Sequence, residues 1–497
     1  MNIIYSGSRR PGAAYPPDRF PRPFALLVPV LILFLLQAAT ISAQVRSHTA
    51  PASPDNNQQL LKHRLQAQQA AVQAGEPEAI IDASQKLVAS ALRVMGERRL
   101  QQTSFAQAAQ LYRISLELED SPETRLALAA AGDRAREAGH PLPQDMDSVD
   151  AAAEPSASVL KRARLTPAQF RAGRAREQQM RKLLASSYND WGTAEARQQK
   201  YSQAMVHFHE AERWNRSTPR LMRNIGLAAV KLGDDKEAAR SLQFAVQENP
   251  KDSVSQSLLA MALFSTRQYA EAAKHFDLVR DAALADPQMA YAWAFSLSQS
   301  NQPRQASAIL AQLTSQTLSA DMLVAAGEVY SGLADYDHAL TCFQKAIALD
   351  PATKKAHDDA GSALLRLDRP AEAIPELQAE LKLNPGDPDT QYRLAYALLQ
   401  TSQQDQAIPL LRDIISAHPN YARARYDLGR ELLQNGKTDE AIQNLEVAAN
   451  LDPNRDYIHY QLQAAYRKAG RTQDADRELK LYREIKAHNR QRPAPQF

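Results

Sequence analysis

The sequence has 497 residues, of which 44% are hydrophobic, 6% aromatic and 23% charged. This length suits several ordinary domains or one long modular array, and the scarcity of Val, Ile and Thr in the second half disfavours a β-rich fold. The net charge of +3 comes from residues 1–43, so the rest of the chain is neutral, which disfavours a broad basic surface for nucleic acid. The single cysteine, Cys342, excludes intramolecular disulfides and a thiolate zinc site.

An arginine-rich start precedes a short apolar run at the N-terminus. Residues 24–36 (FALLVPVLILFLL) are apolar without interruption, and small residues follow up to Ala43. This order is typical of a secretory signal. If the run is extended through Ala43 it reaches the ~20 residues of a membrane span, so an uncleaved anchor over 24–43 is the alternative. Both interpretations of residues 1–43 predict an exported protein of the periplasm or cell envelope that meets the membrane only through this segment.

Two polar stretches flank the next predicted helical region. Residues 44–58 (QVRSHTAPASPDNNQ) are predicted as a disordered linker, residues 59–140 as an N-terminal helical block, and residues 141–165 as a second linker because Pro, Ala and Asp are frequent there. Thr166 and Pro167 then predict a helix start, with Thr as the N-cap and Pro as the first helical residue.

A repeat of 34 residues occupies most of the remaining chain. Nine alanines recur at this interval, with one interval of 33: Ala204, Ala238, Ala272, Ala306, Ala339, Ala373, Ala407, Ala441 and Ala475. Four residues after each alanine stands a large apolar residue: Phe208, Leu242, Phe276, Leu310, Phe343, Leu377, Leu411, Leu445 and Leu479. Twelve residues before each alanine stands a small residue in eight units: Gly192, Gly226, Ala260, Ala294, Gly327, Gly361, Ala395 and Gly429. The ninth unit has Gln463 there, and a polar face on this last unit is expected of a terminal cap.

Two amphipathic helices in each unit account for this pattern. Apolar residues three and four apart give each helix a buried stripe, and the small residues let the two helices approach closely. Gly233, Gly436 and Gly470 stand where the helices must turn, and five units are closed by Pro250, Pro351, Pro385, Pro419 and Pro453. Because one helix pair cannot bury its own apolar face, neighbouring units must stack.

The unit Ala422–Arg455 reads ARARYDLGRELLQNGKTDEAIQNLEVAANLDPNR and resembles a tetratricopeptide repeat, as does the segment 320–353. A tenth copy over residues 89–122 has Gly96, Ala108 and Tyr112 in matching places, and a helix pair broken by Gly75 precedes it. The resemblance implies an all-α fold, a right-handed α-solenoid of stacked antiparallel helix pairs that forms a superhelix. About nine repeats would lie in residues 166–489, followed by a tail at 490–497.

The sequence shows no arrangement typical of catalysis. A phosphate-binding glycine loop, a Gly-x-Ser-x-Gly elbow and a paired-cysteine motif are all missing. His209 and Glu210 begin like a zinc-protease helix, but the second histidine is missing, and His207 and His209 lie two residues apart and point to opposite sides of a helix. We therefore expect no enzyme activity, no metal and no cofactor, and we expect both histidines to be exposed.

The resemblance implies a concave groove lined by the first helix of each unit. The lining residues would be Asn189, Arg223, Tyr291, Phe295, Glu328, Asp358, Tyr392, Tyr396, Arg423, Tyr426, Arg430 and Tyr460. Tyr392, Tyr426 and Tyr460 recur every 34 residues and predict a ladder along one wall, with arginines nearby. Tyr and Arg suit peptide recognition, but they would also suit stacking against sugar rings, and tyrosines can simply pack on neighbouring helices.

Two functions remain compatible with these features. The first is a non-enzymatic scaffold of the cell envelope that binds protein or peptide partners in the groove. The second is an accessory protein for polysaccharide export or glycan handling that uses the same groove. Neither function involves nucleic acid.

Overall fold

The computed structural model describes residues 54–153 and 166–491. The predicted signal segment 1–43, most of the first predicted linker and residues 492–497 lie outside these ranges. The chain divides into two compact units, residues 1–268 and residues 269–497. The described residues contain 23 helices and no strand, which confirms the all-α prediction. No helix within 54–153 or 166–491 combines the length and the apolar character that a membrane crossing requires.

In both units most consecutive helices are joined by short turns, and the exception is the segment between Glu137 and Pro167 in the first unit. The described helices of the first unit are α1 (Pro54–Ala74), α2 (Pro77–Gln101), α3 (Phe105–Leu118), α4 (Pro122–Glu137), α5 (Pro167–Arg197), α6 (Tyr201–Asn215), α7 (Leu221–Leu232), α8 (Asp235–Glu248) and α9 (Ser253–Ser265). The second unit continues with α10 (Tyr269–Leu278), α11 (Arg280–Ala285), α12 (Pro287–Gln299), α13 (Pro303–Thr314), α14 (Ala320–Gly332), α15 (Tyr336–Leu349) and α16 (Ala356–Arg366). It ends with α17 (Pro370–Leu383), α18 (Pro388–Gln400), α19 (Gln404–Ala417), α20 (Ala422–Gln434), α21 (Thr438–Leu451), α22 (Asp456–Lys468) and α23 (Thr472–Gln491).

The periodic small residues lie in the seams between paired helices. All nine repeated alanines are at most 1% exposed. A Cβ added at Gly327 would lie 2.5 Å from Cε1 of Phe343, the residue sixteen positions later. The same spacing recurs at Gly96, where a Cβ would lie 2.5 Å from Cε1 of Tyr112. Helices α2 and α3 therefore cross as the helices of the later repeats do, as the sequence predicts for the tenth copy.

Each turn between the two helices of a repeat contains one residue with positive φ. Gly233, Gly436 and Gly470 adopt this conformation, as expected. The equivalent positions of the other repeats also adopt it without glycine: Thr103, Gln199, Arg267, Asn301, Ala334, Asp368 and Ser402. A side chain in the left-handed region is strained by roughly 1–2 kcal/mol, so most turns accept a local cost that packing of the two helices offsets.

In four repeats a polar side chain forms a hydrogen bond to the carbonyl of the closing proline. The carbonyl of Pro385 accepts a hydrogen bond from Nε2 of Gln391, six residues later, at 2.8 Å. Equivalent bonds join the residues Gln256 and Pro250, Arg425 and Pro419, and His459 and Pro453. The polar side chain satisfies a carbonyl that the closing proline leaves outside the helix.

The predicted linker 141–165 is in part a docked segment. Met146, Ala151 and Ala152 are buried, Arg181 donates a hydrogen bond to the carbonyl of Ala152, and Asp150 pairs with an arginine of α6. Residues 141–153 therefore pack against the helices of the first unit, and α1 begins at Pro54, inside the first predicted linker.

The long helix α5 ties the N-terminal block to the repeats that follow. It begins with the predicted cap, because the hydroxyl of Thr166 accepts a hydrogen bond from the backbone N–H of Gln169 at 3.3 Å. It packs against both α2 and α6. The guanidinium of Arg99, which is 1% exposed, donates to both carboxylate oxygens of Glu177 at 2.7 and 3.2 Å. The N-terminal block and the first repeats thus share one core.

The last repeat is only partly polar on its first helix. Arg467 and Lys468 are exposed, as expected of a terminal cap, but Gln463 is buried. Gln463 therefore adds nothing to the polar face predicted for this unit, and its helix α22 packs against the long final helix α23.

Candidate functional site

The predicted groove residues of the first unit join neighbouring helices. Nδ2 of Asn224 on α7 donates to Oδ1 of Asn189 on α5 at 2.9 Å, and Asn189 is buried. Nε of Arg223 donates to Oδ2 of Asp252 at 2.7 Å, and Asp252 also caps α9. These polar groups are therefore occupied in contacts between repeats.

The first predicted residues of the second unit form an aromatic group. The ring of Phe295 lies 6.1 Å from that of Tyr291 and 5.4 Å from that of Tyr269. Tyr291 is buried, and burial raises the pKa of its hydroxyl to about 12. Glu328, on the next first helix, is exposed.

Asp358 on α16 is held by the following repeat. Its two carboxylate oxygens accept hydrogen bonds from Nη1 of Arg393 at 2.7 and 2.8 Å, and Oδ1 accepts a third from the hydroxyl of Thr390 at 2.7 Å. The neighbouring carboxylate has a different environment: burial, together with the charges of Glu328 and Asp358, raises the pKa of Asp359 to about 7.

Tyr392 also acts between repeats. Its hydroxyl donates to Oδ2 of Asp427 at 2.7 Å, and Nη1 of Arg430 lies 3.4 Å from Oδ1 of the same carboxylate. Asp427 is buried, and burial raises the pKa of its carboxyl group while Tyr392 and Arg430 lower it. Tyr392 and Arg430 thus stabilise a buried carboxylate.

Three of these hydrogen bonds follow one rule. Each bond joins a residue three positions before the small residue of one repeat to a residue two positions before the small residue of the next repeat. The three pairs are Asn189 with Asn224, Asp358 with Arg393, and Tyr392 with Asp427. The rule also shows that buried Asp359 lacks a polar counterpart that could offset the effect of burial on its pKa. Its counterpart in the preceding repeat is Val324, whose side chain has no polar atom, and Oδ2 of Asp359 has no hydrogen-bond partner in the described part of the chain.

The tyrosines of the predicted ladder belong to three separate aromatic groups. Tyr392 contacts Tyr396 and a residue missed by the sequence analysis, Tyr421, with ring centres 6.4 and 5.4 Å away. Tyr426 packs edge-on against Tyr457 at 4.8 Å, and Tyr460 lies 5.3 Å from Tyr482. Tyr421, Tyr457 and Tyr482 were missed because they do not recur every 34 residues, although their clustering with the predicted tyrosines is visible in the sequence.

The most accessible part of this surface lies on α20 and α22. Tyr457 is 42% and Tyr460 53% exposed, and they stand three residues apart on one side of α22. Arg423 is exposed, and its positive charge acts to lower the pKa of the Tyr457 hydroxyl. We call Arg423, Tyr426, Tyr457 and Tyr460 the tyrosine face. It offers large aromatic area with polar tips and the exposed guanidinium of Arg423.

The histidines of α6 differ from each other. His209 is exposed, as expected. His207 is not: its ring stacks on Trp191 at 3.9 Å, and Nδ1 lies 2.7 Å from Oε2 of Glu195. The expectation of an exposed His207 was wrong because an aromatic ring of the preceding helix lies on its side of α6. Among residues 54–153 and 166–491, no three His, Cys, Asp or Glu side chains come together as metal ligands would.

Comparisons with known proteins agree with the helical repeats. Models of the tetratricopeptide repeat family match residues 223–287, 324–388, 364–427 and 402–465. No curated protein sequence matches the chain. Similar solved structures include MamA, with 23% identity over 33% of this chain and 97% of that chain at a TM-score of 0.31. Another is YrrB, described as a TPR protein with an unusual peptide-binding site, with 23% identity over 34% of this chain and 86% of that chain at a TM-score of 0.31. A third is MamA from Desulfovibrio magneticus RS-1, with 22% identity over 34% of this chain and 96% of that chain at a TM-score of 0.32.

Proposed function

Because residues 223–287 and 324–465 are tetratricopeptide repeats, we propose that this chain is a non-catalytic scaffold that binds a segment of a partner protein on its tyrosine face. The observation that carries the proposal is the exposure of Tyr457 and Tyr460 beside the exposed Arg423. Large aromatic and arginine side chains dominate the energetics of protein interfaces, and helices fixed by repeat packing present them with little loss of entropy on binding.

Three other predicted groove residues of the second unit are less available to a partner. Tyr392, Arg430 and Asp358 are occupied in hydrogen bonds between or within repeats. A partner would have to break those bonds to use them, whereas Tyr457 and Tyr460 offer their rings directly. We therefore expect substitutions at Tyr457 and Tyr460 to weaken binding without loss of fold.

We also propose export to the cell envelope. The support is the arginine-rich start and apolar run of residues 1–43. N-terminal sequencing of the protein recovered from cells tests this part: a start near Gln44 supports a cleaved signal, an intact N-terminus in membranes supports an anchor, and an intact N-terminus in the cytoplasmic fraction contradicts export.

Site-specific photo-cross-linking in intact cells tests the binding face. A photoreactive phenylalanine analogue replaces Tyr460 in one strain and Leu383, an exposed residue of the second helix α17, in the control strain. We expect a discrete protein adduct only at position 460, and we expect Arg423→Ala to reduce it.

The same experiment distinguishes the glycan alternative. Tyrosine rings offer faces on which sugars can stack, and an adduct at position 460 whose added mass is removed by glycosidases and that contains no peptide of another protein would favour a glycan. Equal adducts at positions 460 and 383, or none at either, would contradict a binding role for this face.

A further inference from the structure

A cleft of about 630 Å³ lies in the second unit, apart from the tyrosine face. It is formed by α10, α12 and α13, and its apolar wall includes the buried side chains of Ala273, Leu297 and Ile309. This volume is within the range of sites that hold small organic molecules, roughly 300–1,000 Å³.

The cleft lies beside an interruption in the second helix of its repeat. Helix α10 ends at Leu278 and α11 begins at Arg280, and Val279 between them has φ −119° and ψ 34°. Leu284 stands 34 residues after Pro250, where a closing proline would end the helix. Without that proline the chain resumes a helix up to Ala285, and Arg280 at the interruption lines the cleft.

One wall of the cleft contains an unsatisfied donor. Trp293 lines the cleft and is 2% exposed, and its indole N–H has no hydrogen-bond acceptor among the residues that the structure describes. A buried donor without an acceptor costs roughly 1–3 kcal/mol. A ligand that brings an acceptor to this N–H would remove that cost.

Two cations stand at the edge of the same cleft. The guanidinium of Arg280 lies 5.1 Å from the centre of the Trp293 ring, and Lys274 is the second lining cation. Their carboxylate partners are exposed residues of the same helical segment, Asp277 at 3.2 Å from Arg280 and Glu271 at 2.7 Å from Lys274. Exposed pairs of this kind contribute little to stability, so both cations can exchange their partners for a ligand carboxylate.

We propose that this cleft binds the carboxylate of a small apolar acid. The apolar body packs against Ala273, Leu297 and Ile309. The carboxylate pairs with Arg280 and accepts a hydrogen bond from the Trp293 indole. The acid has two chemical sources, a free organic acid or the C-terminal residue of a peptide, and the proposal is independent of the tyrosine face.

The test follows the three tryptophan indole signals of the ¹⁵N-labelled full-length protein by NMR, with Trp293→Phe to assign the signal of Trp293. The probes are 4-phenylbutyrate and an acetylated Ala-Ala-Leu tripeptide with a free C-terminus. We expect a saturable shift of the Trp293 signal alone. A shift with phenylbutyrate only identifies a free acid, and a shift with the peptide only identifies a C-terminus.

Matched controls separate carboxylate binding from non-specific apolar contact. The alcohol 4-phenylbutanol and the amidated peptide should bind at least tenfold more weakly. Arg280→Gln should weaken binding about tenfold, whereas Arg304→Gln, an exposed residue of α13 outside the cleft lining, should leave it unchanged. Ala308→Phe, at an exposed lining position, should abolish binding. The proposal is overturned if neither acid shifts the signal, or if the neutral probes bind as well as the acids.

Discussion

The pair formed by Arg99 and Glu177 provides a sharp test of how the N-terminal block is attached. Glu177→Gln keeps the size of the side chain but removes its charge. Arg99 would then be a buried cation that still donates to the carbonyl of Ala153 at 3.1 Å and to the amide oxygen of Gln102 at 3.3 Å. Removal of one partner from a buried ion pair costs about 3–5 kcal/mol.

We expect the lower end of this range, about 3 kcal/mol, because the glutamine amide can still accept one hydrogen bond from Arg99. The assay is native-state hydrogen exchange of the full-length protein, in which local stability is read helix by helix. A loss of about 3 kcal/mol corresponds to amides of α2 and α5 exchanging roughly 100-fold faster. Amides of α18 and α20, in the second unit, should not change.

Glu271→Gln is the matched control, because Glu271 forms an exposed pair with Lys274. Its effect should remain below about 1 kcal/mol. The double variant Arg99→Met with Glu177→Met should recover part of the lost protection, since an apolar pair of similar volume can replace a buried ion pair, while Arg181 still loses its 3.1 Å bond to Glu177. If Glu177→Gln accelerates exchange no more than Glu271→Gln does, the N-terminal block is not held by this pair and our reasoning is refuted.

Three further predictions concern the repeats, each measured as a shift of the urea unfolding midpoint. Ala334→Gly should stabilise the second unit by up to about 1 kcal/mol, because Ala334 has positive φ, which glycine adopts without strain. The control Ala311→Gly, at an exposed position of α13, should destabilise the unit by about 1 kcal/mol. Equal effects of the two variants would contradict backbone strain at Ala334. In the folded protein the pKa of Asp359 is about 7, above its value in the unfolded chain, so the protein loses stability as the pH rises through 7. Asp359→Asn should therefore stabilise the protein more at pH 8 than at pH 5. A pH-independent effect would exclude a raised pKa. Tyr392→Phe should cost roughly 1–3 kcal/mol because buried Asp427 loses a donor, and a neutral result would show that this hydrogen bond contributes nothing.

The helix pairs were predictable because they depend on local, repeated contacts. A small residue and a large residue sixteen positions later meet in the seam of each pair, so a 34-residue period in the sequence translates directly into packing. The turns were only partly predictable. Glycine marks three of them, but Arg267 and Ala334 adopt the same positive φ against their own preference, since the two packed helices impose it.

The segment 141–153 was predicted incorrectly because composition does not reveal a docking surface. Its small and acidic residues are typical of linkers. The structure uses them differently: Ala151 and Ala152 are small enough to pack closely, and the carbonyls of Ala152 and Ala153 accept hydrogen bonds from arginines of two helices. Those partners lie up to 54 residues away along the chain, and no local pattern announces them.

The positions of the candidate site could be read from the repeat only in part, and the roles of their side chains could not. The repeat correctly identified Asp358 and Tyr392 as equivalent positions of successive first helices, but an equivalent position does not determine whether the side chain faces a neighbour or the solvent. That depends on the residue two positions before the small residue of the next repeat. Where that residue is Arg393 or Asp427, a hydrogen bond forms and the side chain is occupied.

The same rule explains why the tyrosine face lies at the end of the array. Gln461 lies 35 residues after Tyr426, where the rule places a partner, but none of the described hydrogen bonds joins the two side chains. The ring of Tyr426 packs on Tyr457 instead. Among the residues that the structure describes, α22 is the last first helix of a repeat, and the side chain of Tyr460 on it is the most exposed of the predicted tyrosines. A hydrogen bond to the next first helix occupies Tyr392, whereas Tyr460, at the same place in its repeat, keeps about half of its surface exposed. This difference is why we propose that a partner uses Arg423, Tyr457 and Tyr460 rather than Tyr392.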